Sequence, residues 1–162
     1  MKLRSLKSKK KIKISSKKFF QLFETKEDII VSFFKRIDQD LEKKIKKKSL
    51  GNNVKDNLFE VCMTRIDLLN PYKQNLHNLY LSFQKKPNLF IKLYKSFFES
   101  MENNLKLSRI NLEPIKKNLK VCIFSFLYLS IIYEWFKESS NNNEKIMAAL
   151  DQRLSLIEHI LI

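Results

Sequence analysis

One glycine and three prolines in 162 residues leave few of the sharp turns that an all-β chain requires. The same shortage excludes a glycine-rich phosphate cradle of the dinucleotide or P-loop kind. Histidine is also scarce: His77 and His159 stand without a Cys, Ser or carboxylate constellation around them. Neither of the two cysteines, Cys62 and Cys122, has a metal-ligand spacing, and both sit within apolar patterns as small buried hydrophobes do. Glu60 and Asp67 are expected to pair with Arg65 or with lysines rather than to act as acid and base. No metal, no cofactor and no catalysis are expected. The charged N-terminus lacks the apolar stretch of a secretory leader, so a cytoplasmic, reducing location is the expectation.

Acidic residues are missing altogether from the first 23 positions, which carry nine Lys or Arg. A second basic group, Lys43, Lys44, Lys46, Lys47 and Lys48, closes a later helix, and the formal net charge is +15. A basic cap at one end is the electrostatic footprint of a polyanion binder, and DNA is the expected partner. A solvated Lys-rich tail gives the same composition.

What the chain has in abundance is phenylalanine, 13 in all, and hydrophobic residues at 44%. The most apolar run, Leu119 to Phe136, has no charge between Lys120 and Glu134. A helix apolar on every face is buried at the centre of a protein or in a membrane. This one is slightly short for a bilayer, and its flanking charges trim it further, so stable membrane insertion is not expected. Complete burial requires the other helices, or a second copy of the chain, to pack around it.

Helical periodicity accounts for the rest. Thr25 and Asp28 form a capping box before Ile30, Phe33, Phe34, Ile37, Leu41 and Ile45. Residues 49–53 form a loop, and Asn53 starts a helix striped by Leu58, Cys62, Ile66 and Leu69. Asn70-Pro71 opens the next, with Tyr72, Leu76, Leu79, Tyr80 and Phe83. Pro87 opens another, carrying Phe90, Tyr94, Phe97, Met101 and Leu105. Asn111 is expected to cap the central helix with Pro114 in its first turn. After a polar loop at 139–143, Ile146, Leu150, Leu154, Ile157 and Leu161 stripe the last helix. No strand pattern remains, and the fold class is all-α.

The segment ISSKKFFQLFETKEDII, Ile14 to Ile30, resembles the end of the DNA-binding region of TetR/AcrR-type regulators. That family sets its recognition helix just before a Phe, a small turn and a Ser/Thr-Lys-Glu-acid helix start, matched here by Phe23-Glu24-Thr25-Lys26-Glu27-Asp28. Asp56 to Leu76 and Lys145 to Leu161 look like a bacterial branch of the family whose penultimate helix also ends near a Trp. The resemblance implies a partial helix-turn-helix over 1–24 and a ligand-binding and dimerisation domain over 25–162. It departs from the family at Lys13, where a Gly is frequent, and at Phe20, where Tyr is usual. Only thirteen residues precede Ile14, too few for the two helices that complete the family's unit. Two causes are expected: a start codon placed too far downstream, with a further amphipathic helix encoded before Met1, or a real truncation in a lineage that gave up specific DNA binding.

By the same resemblance, Ser15, Ser16, Lys17, Lys18, Phe20 and Lys26 would meet DNA. A small apolar effector would sit among Phe59, Cys62, Met63, Tyr80, Phe83, Tyr94, Phe98 and Met101. A homodimer would form through Phe124, Tyr128, Ile132, Ile146, Leu150, Leu154 and Ile157, the last two helices being the family's seam. The function implied is transcription regulation. Lipid-binding accessory proteins of ubiquinone biosynthesis share the fold and supply the alternative, an isoprenoid-binding role.

Overall fold

A computed structural model describes residues 25–85, 87–138 and 143–161; the side chains of Lys26, Gln84 and residues 87–90 lie outside that description, as does the basic segment 1–24. Among the described residues the chain is all-α, with no strand. The helices are α1 (Lys26–Lys47), α2 (Val54–Leu69), α3 (Lys73–Lys85), α4 (Pro87–Leu107), α5 (Lys117–Lys137) and α6 (Glu144–Leu161), with a 3-10 turn at Asn70–Tyr72 between α2 and α3.

The helix starts follow local chemistry. At α1, Thr25 Oγ1 accepts the Asp28 amide at 3.2 Å while Asp28 Oδ2 accepts the Thr25 amide at 2.8 Å, completing the capping box. Lys44, Lys46 and Lys47 crowd its last turn, where the helix dipole favours cations. Asn53 Oδ1 accepts the amides of Lys55 and Asp56 at the start of α2. Pro71 sits in the 3-10 turn, where its missing N–H leaves no ladder bond unmade.

The start of the central helix differs from the expectation. Asn111 does not cap it and Pro114 is outside it; α5 begins at Lys117, after a turn over residues 114–116. Buried Ile110 and half-buried Leu112 hold this connection against the core, so the chain stays extended beyond Asn111. The carbonyl of Asn111 instead accepts the Nζ of Lys120, buried one turn into α5. Arg109, at φ 65, supplies the left-handed residue that ends α4, and the Ile110 amide reaches back to the Leu105 carbonyl.

One core runs through the body: Leu58, Cys62 and Ile66 of α2, Met101 and Leu105 of α4, Phe124, Ile131 and Trp135 of α5, and Ile146, Leu150 and Leu154 of α6. Leu41 and Ile45 of α1 pack separately with Val61, Leu50 and Leu107. By length and composition α5 could cross a membrane, yet in this fold its inner face is packed against the other helices. Its outer face is bare: Leu119, Phe126, Leu129 and Tyr133 are exposed, Phe126 to 68%. The chain on its own therefore buries one side of the apolar run.

The two cysteines differ in reach. Cys62 is buried in the core, and burial pushes its thiol up to about 12. Cys122 is half-buried on α5. At pH 8 a thiol reagent should leave Cys62 untouched until denaturant is added, while Cys122 is within reach in the single chain. Two rapidly labelled thiols in the native protein would contradict this packing.

Candidate functional site

A cavity of about 540 Å³ opens between α1, α2, α3, α4 and α5. Small side chains on the apolar face of α4 help to leave this space. Ser96 and Ser100, one turn apart, stand beside Leu93 and Phe97 where larger residues would reach the neighbouring helices. Val31 and Phe34 of α1 form one wall; Leu76, Leu79, Tyr80 and Phe83 of α3 form another. The α5 wall runs from Tyr128 through Leu129, Ile132 and Tyr133 to Trp135 and Phe136, and α2 contributes Leu69 and Arg65. Aromatic rings meet along the α3–α5 edge: Tyr80 lies 6.1 Å from Tyr133 and 5.7 Å from Phe136, and His77 lies 5.3 Å from Phe136. Lys137 Nζ stands 3.9 Å above the Tyr133 ring. Such a lining suits an apolar ligand.

The floor of the cavity is its polar part. Arg65, 2% exposed, pairs through Nη1 with the carboxylate of Asp38 on α1. Asp38 also accepts the Ser100 hydroxyl at 2.8 Å, so one carboxylate ties α2 and α4 to α1. The Arg65 guanidinium carbon is 5.7 Å from the centre of the Tyr128 ring, and Nη1 is 3.5 Å from Asn104 Oδ1. Burial pushes the Tyr128 hydroxyl up, so it stays protonated. Among the described residues Arg65 Nε and Trp135 Nε1 are buried without a hydrogen-bond partner. Of the two acids expected to pair with Arg65 or with lysines, Glu60 pairs with Lys48, while Asp67 Oδ1 accepts from Asn143.

Of the eight expected lining residues, Tyr80 and Phe83 border the cavity and six do not. Cys62 and Met101 have no exposed surface, Met63 is nearly as buried, and Phe59 and Phe98 are packed on the core. Tyr94 points the other way, 51% exposed and edge-on to Phe98 at 6.4 Å. The residues facing the space on α2 and α4 are Arg65, Leu69, Leu93, Ser96, Phe97 and Ser100, roughly 100° around the helices from those expected. Paired serines on an apolar face were the available signal.

The expected seam residues lie inside the single chain. Phe124, Tyr128, Ile146, Leu150 and Leu154 are buried, Ile132 lines the cavity, and Ile157 is half-buried against the core. On α5 no polar face marks the outside, and on α6 one apolar stripe serves equally for a core or for a seam, so periodicity does not tell an inward stripe from one that faces a partner. The apolar residues on the outside of these helices are Leu119, Phe126, Leu129 and Tyr133 of α5 and Met147, Leu156 and Ile160 of α6. Ser15, Ser16, Lys17, Lys18 and Phe20 lie outside the described residues; Lys26 opens α1. Among the described residues no group of His, Cys, Asp or Glu could hold a metal ion.

No protein-family model, no curated protein and no solved structure matches this chain.

Proposed function

We propose that the chain is a ligand-responsive regulator of the TetR type, a homodimer whose basic N-terminal segment contacts DNA and whose helical body takes up a small apolar molecule. What carries this reading is the place of α1. Val31 and Phe34 of that helix form a cavity wall, and Asp38, one turn on, holds Arg65 at the floor. The same helix begins at Lys26, directly after the basic segment. An occupant that moves Val31 or Phe34 therefore acts on the helix leading to the nucleic-acid end. A volume of about 540 Å³ is in the usual range of small-molecule sites.

Homodimerisation rests on the bare faces of α5 and α6. On α5 the strip from Leu119 to Tyr133 is about 10 Å wide and roughly 20 Å long, and Leu156 and Ile160 of α6 add a shorter apolar patch, on the order of 300 Å² together. An interface of ~800 Å² per partner would take the rest from the polar residues around them.

DNA binding in this reading is mainly electrostatic, with Lys17, Lys18 and Lys26 as the phosphate contacts. Six such contacts in a dimer give a salt slope of about −5, so affinity should fall roughly a thousandfold between 50 and 200 mM salt. Scrambling the duplex sequence should change it little. Fluorescence anisotropy across a salt series measures both. Tight, sequence-selective binding that survives physiological salt would contradict this mode of contact, and absence of binding at 50 mM would remove the regulator reading.

The accessory lipid-binding role draws on a different observation. Among the described lining residues Arg65 is the one ion, and Asp38 already neutralises it, which favours an uncharged hydrocarbon over a fatty acid anion. Extraction of isoprenoid from neutral liposomes, without any DNA binding, would select that role.

A further inference from the structure

We infer that the mouth of the cavity is closed by a second copy of the chain, so that apolar ligand and dimer strengthen one another; this rests on the homodimer proposed above. Two residues belong to both features. Leu129 and Tyr133 line the cavity, and both are exposed on the outer face of α5, Tyr133 to 44%. The opening between α3 and α5 therefore borders the bare strip, and in one chain an apolar site has an apolar rim left in water.

The strip itself specifies its cover. Leu119, Cys122, Phe126, Leu129 and Tyr133 recur at alternating steps of three and four, the spacing by which one helix packs along another. Among the described residues the strip itself carries no charge from Leu119 to Tyr133: Lys120 is buried on the Asn111 carbonyl, Glu134 pairs with Arg153, and the single cation at its end, Lys137, lies over the Tyr133 ring. A second α5 offers the same uncharged strip and satisfies it by two-fold symmetry.

Phe126 is the most exposed ring on the helix and lies midway along the uncharged run. An antiparallel pairing with the axis beside Phe126 sets residue 126+k of one copy against residue 126−k of the other. Leu119 of each copy then covers Tyr133 of the other, at the rim. In its own chain Leu119 does not border the cavity. It reaches the ligand only across the interface.

The test uses the full chain and the neutral probe N-phenyl-1-naphthylamine, with sedimentation velocity run on every sample. The wild-type dimer should bind the probe roughly tenfold more tightly than Phe126→Glu, a folded monomer by circular dichroism, and probe should raise the dimer's association constant by the same factor. Leu119→Ser should remain dimeric, bind several-fold more weakly and expose bound probe to acrylamide quenching. Equal probe affinity in dimer and monomer, or a Leu119→Ser dimer that binds and shields like wild type, overturns the shared mouth while leaving the homodimer intact. A wild type that stays monomeric at all concentrations overturns both.

Discussion

Replacing Arg65 by Ala should cost about 3–5 kcal/mol, because it strands the Asp38 carboxylate at the cavity floor with only the Ser100 hydroxyl for company. Domains of this size are stable by about 5–15 kcal/mol, so the variant would lose a large part of its margin. At roughly 2–4 °C per kcal/mol the melting temperature should fall by about 6–20 °C. Asp38→Ala should be comparably harmful for the converse reason, since it leaves a guanidinium, 2% exposed, without its counter-charge. The revealing variant is the double one. Arg65→Met with Asp38→Leu removes both ions and fills their space with apolar atoms, and it should recover much of the loss, since a buried pair is worth little net against hydrophobic isosteres. Thermal unfolding of the three variants forms a mutant cycle. Single variants as stable as wild type would mean the pair is solvated and does not tie α1 to α2. If the double variant is stable but no longer couples ligand to DNA affinity, the pair serves the cavity rather than the fold.

The helices were legible because their signals are local. Thr25 and Asp28 are three apart, as are Asn53 and Asp56, and each set needs only the first turn of its helix to act. The stripes Leu58–Cys62–Ile66–Leu69 and Ile146–Leu150–Leu154 went to the core as periodicity requires. The cavity was not legible in the same way. Whether Phe97 or Met101 faces a void or a neighbour depends on how far apart the helices stand, and helical spacing carries no record of that distance. Arg65 and Asp38 are 27 positions apart on different helices, and helical periodicity, which relates positions a turn apart, carries no sign of the pair. The outer face of α5 was hidden for a third reason. Residues 121–133 contain no charge to mark solvent, so inside and outside look alike in the sequence.

Leu150→Glu should unfold the chain rather than merely separate two copies of it. Leu150 has no exposed surface and packs in the core that joins α6 to α2 and α5. Glutamate there removes a buried leucine, worth about 2–5 kcal/mol, and adds a desolvated carboxylate in the apolar core. The sum, about 5 kcal/mol or more, is comparable to the whole stability of such a domain. Circular dichroism should show lost helix or a greatly lowered unfolding midpoint at every protein concentration. Leu156 on the same helix is the control, because it is 67% exposed. Leu156→Glu keeps its charge in water and should change monomer stability by less than about 0.5 kcal/mol. If the bare faces of α5 and α6 meet in a dimer, the same substitution buries one carboxylate from each copy there and should raise the dissociation constant at least tenfold. The two glutamates, six residues apart, thus separate folding from association. A folded, monomeric Leu150→Glu with wild-type stability, beside a fully dimeric Leu156→Glu, would reverse the assignment and put the seam back on the Ile146–Leu150–Leu154 stripe.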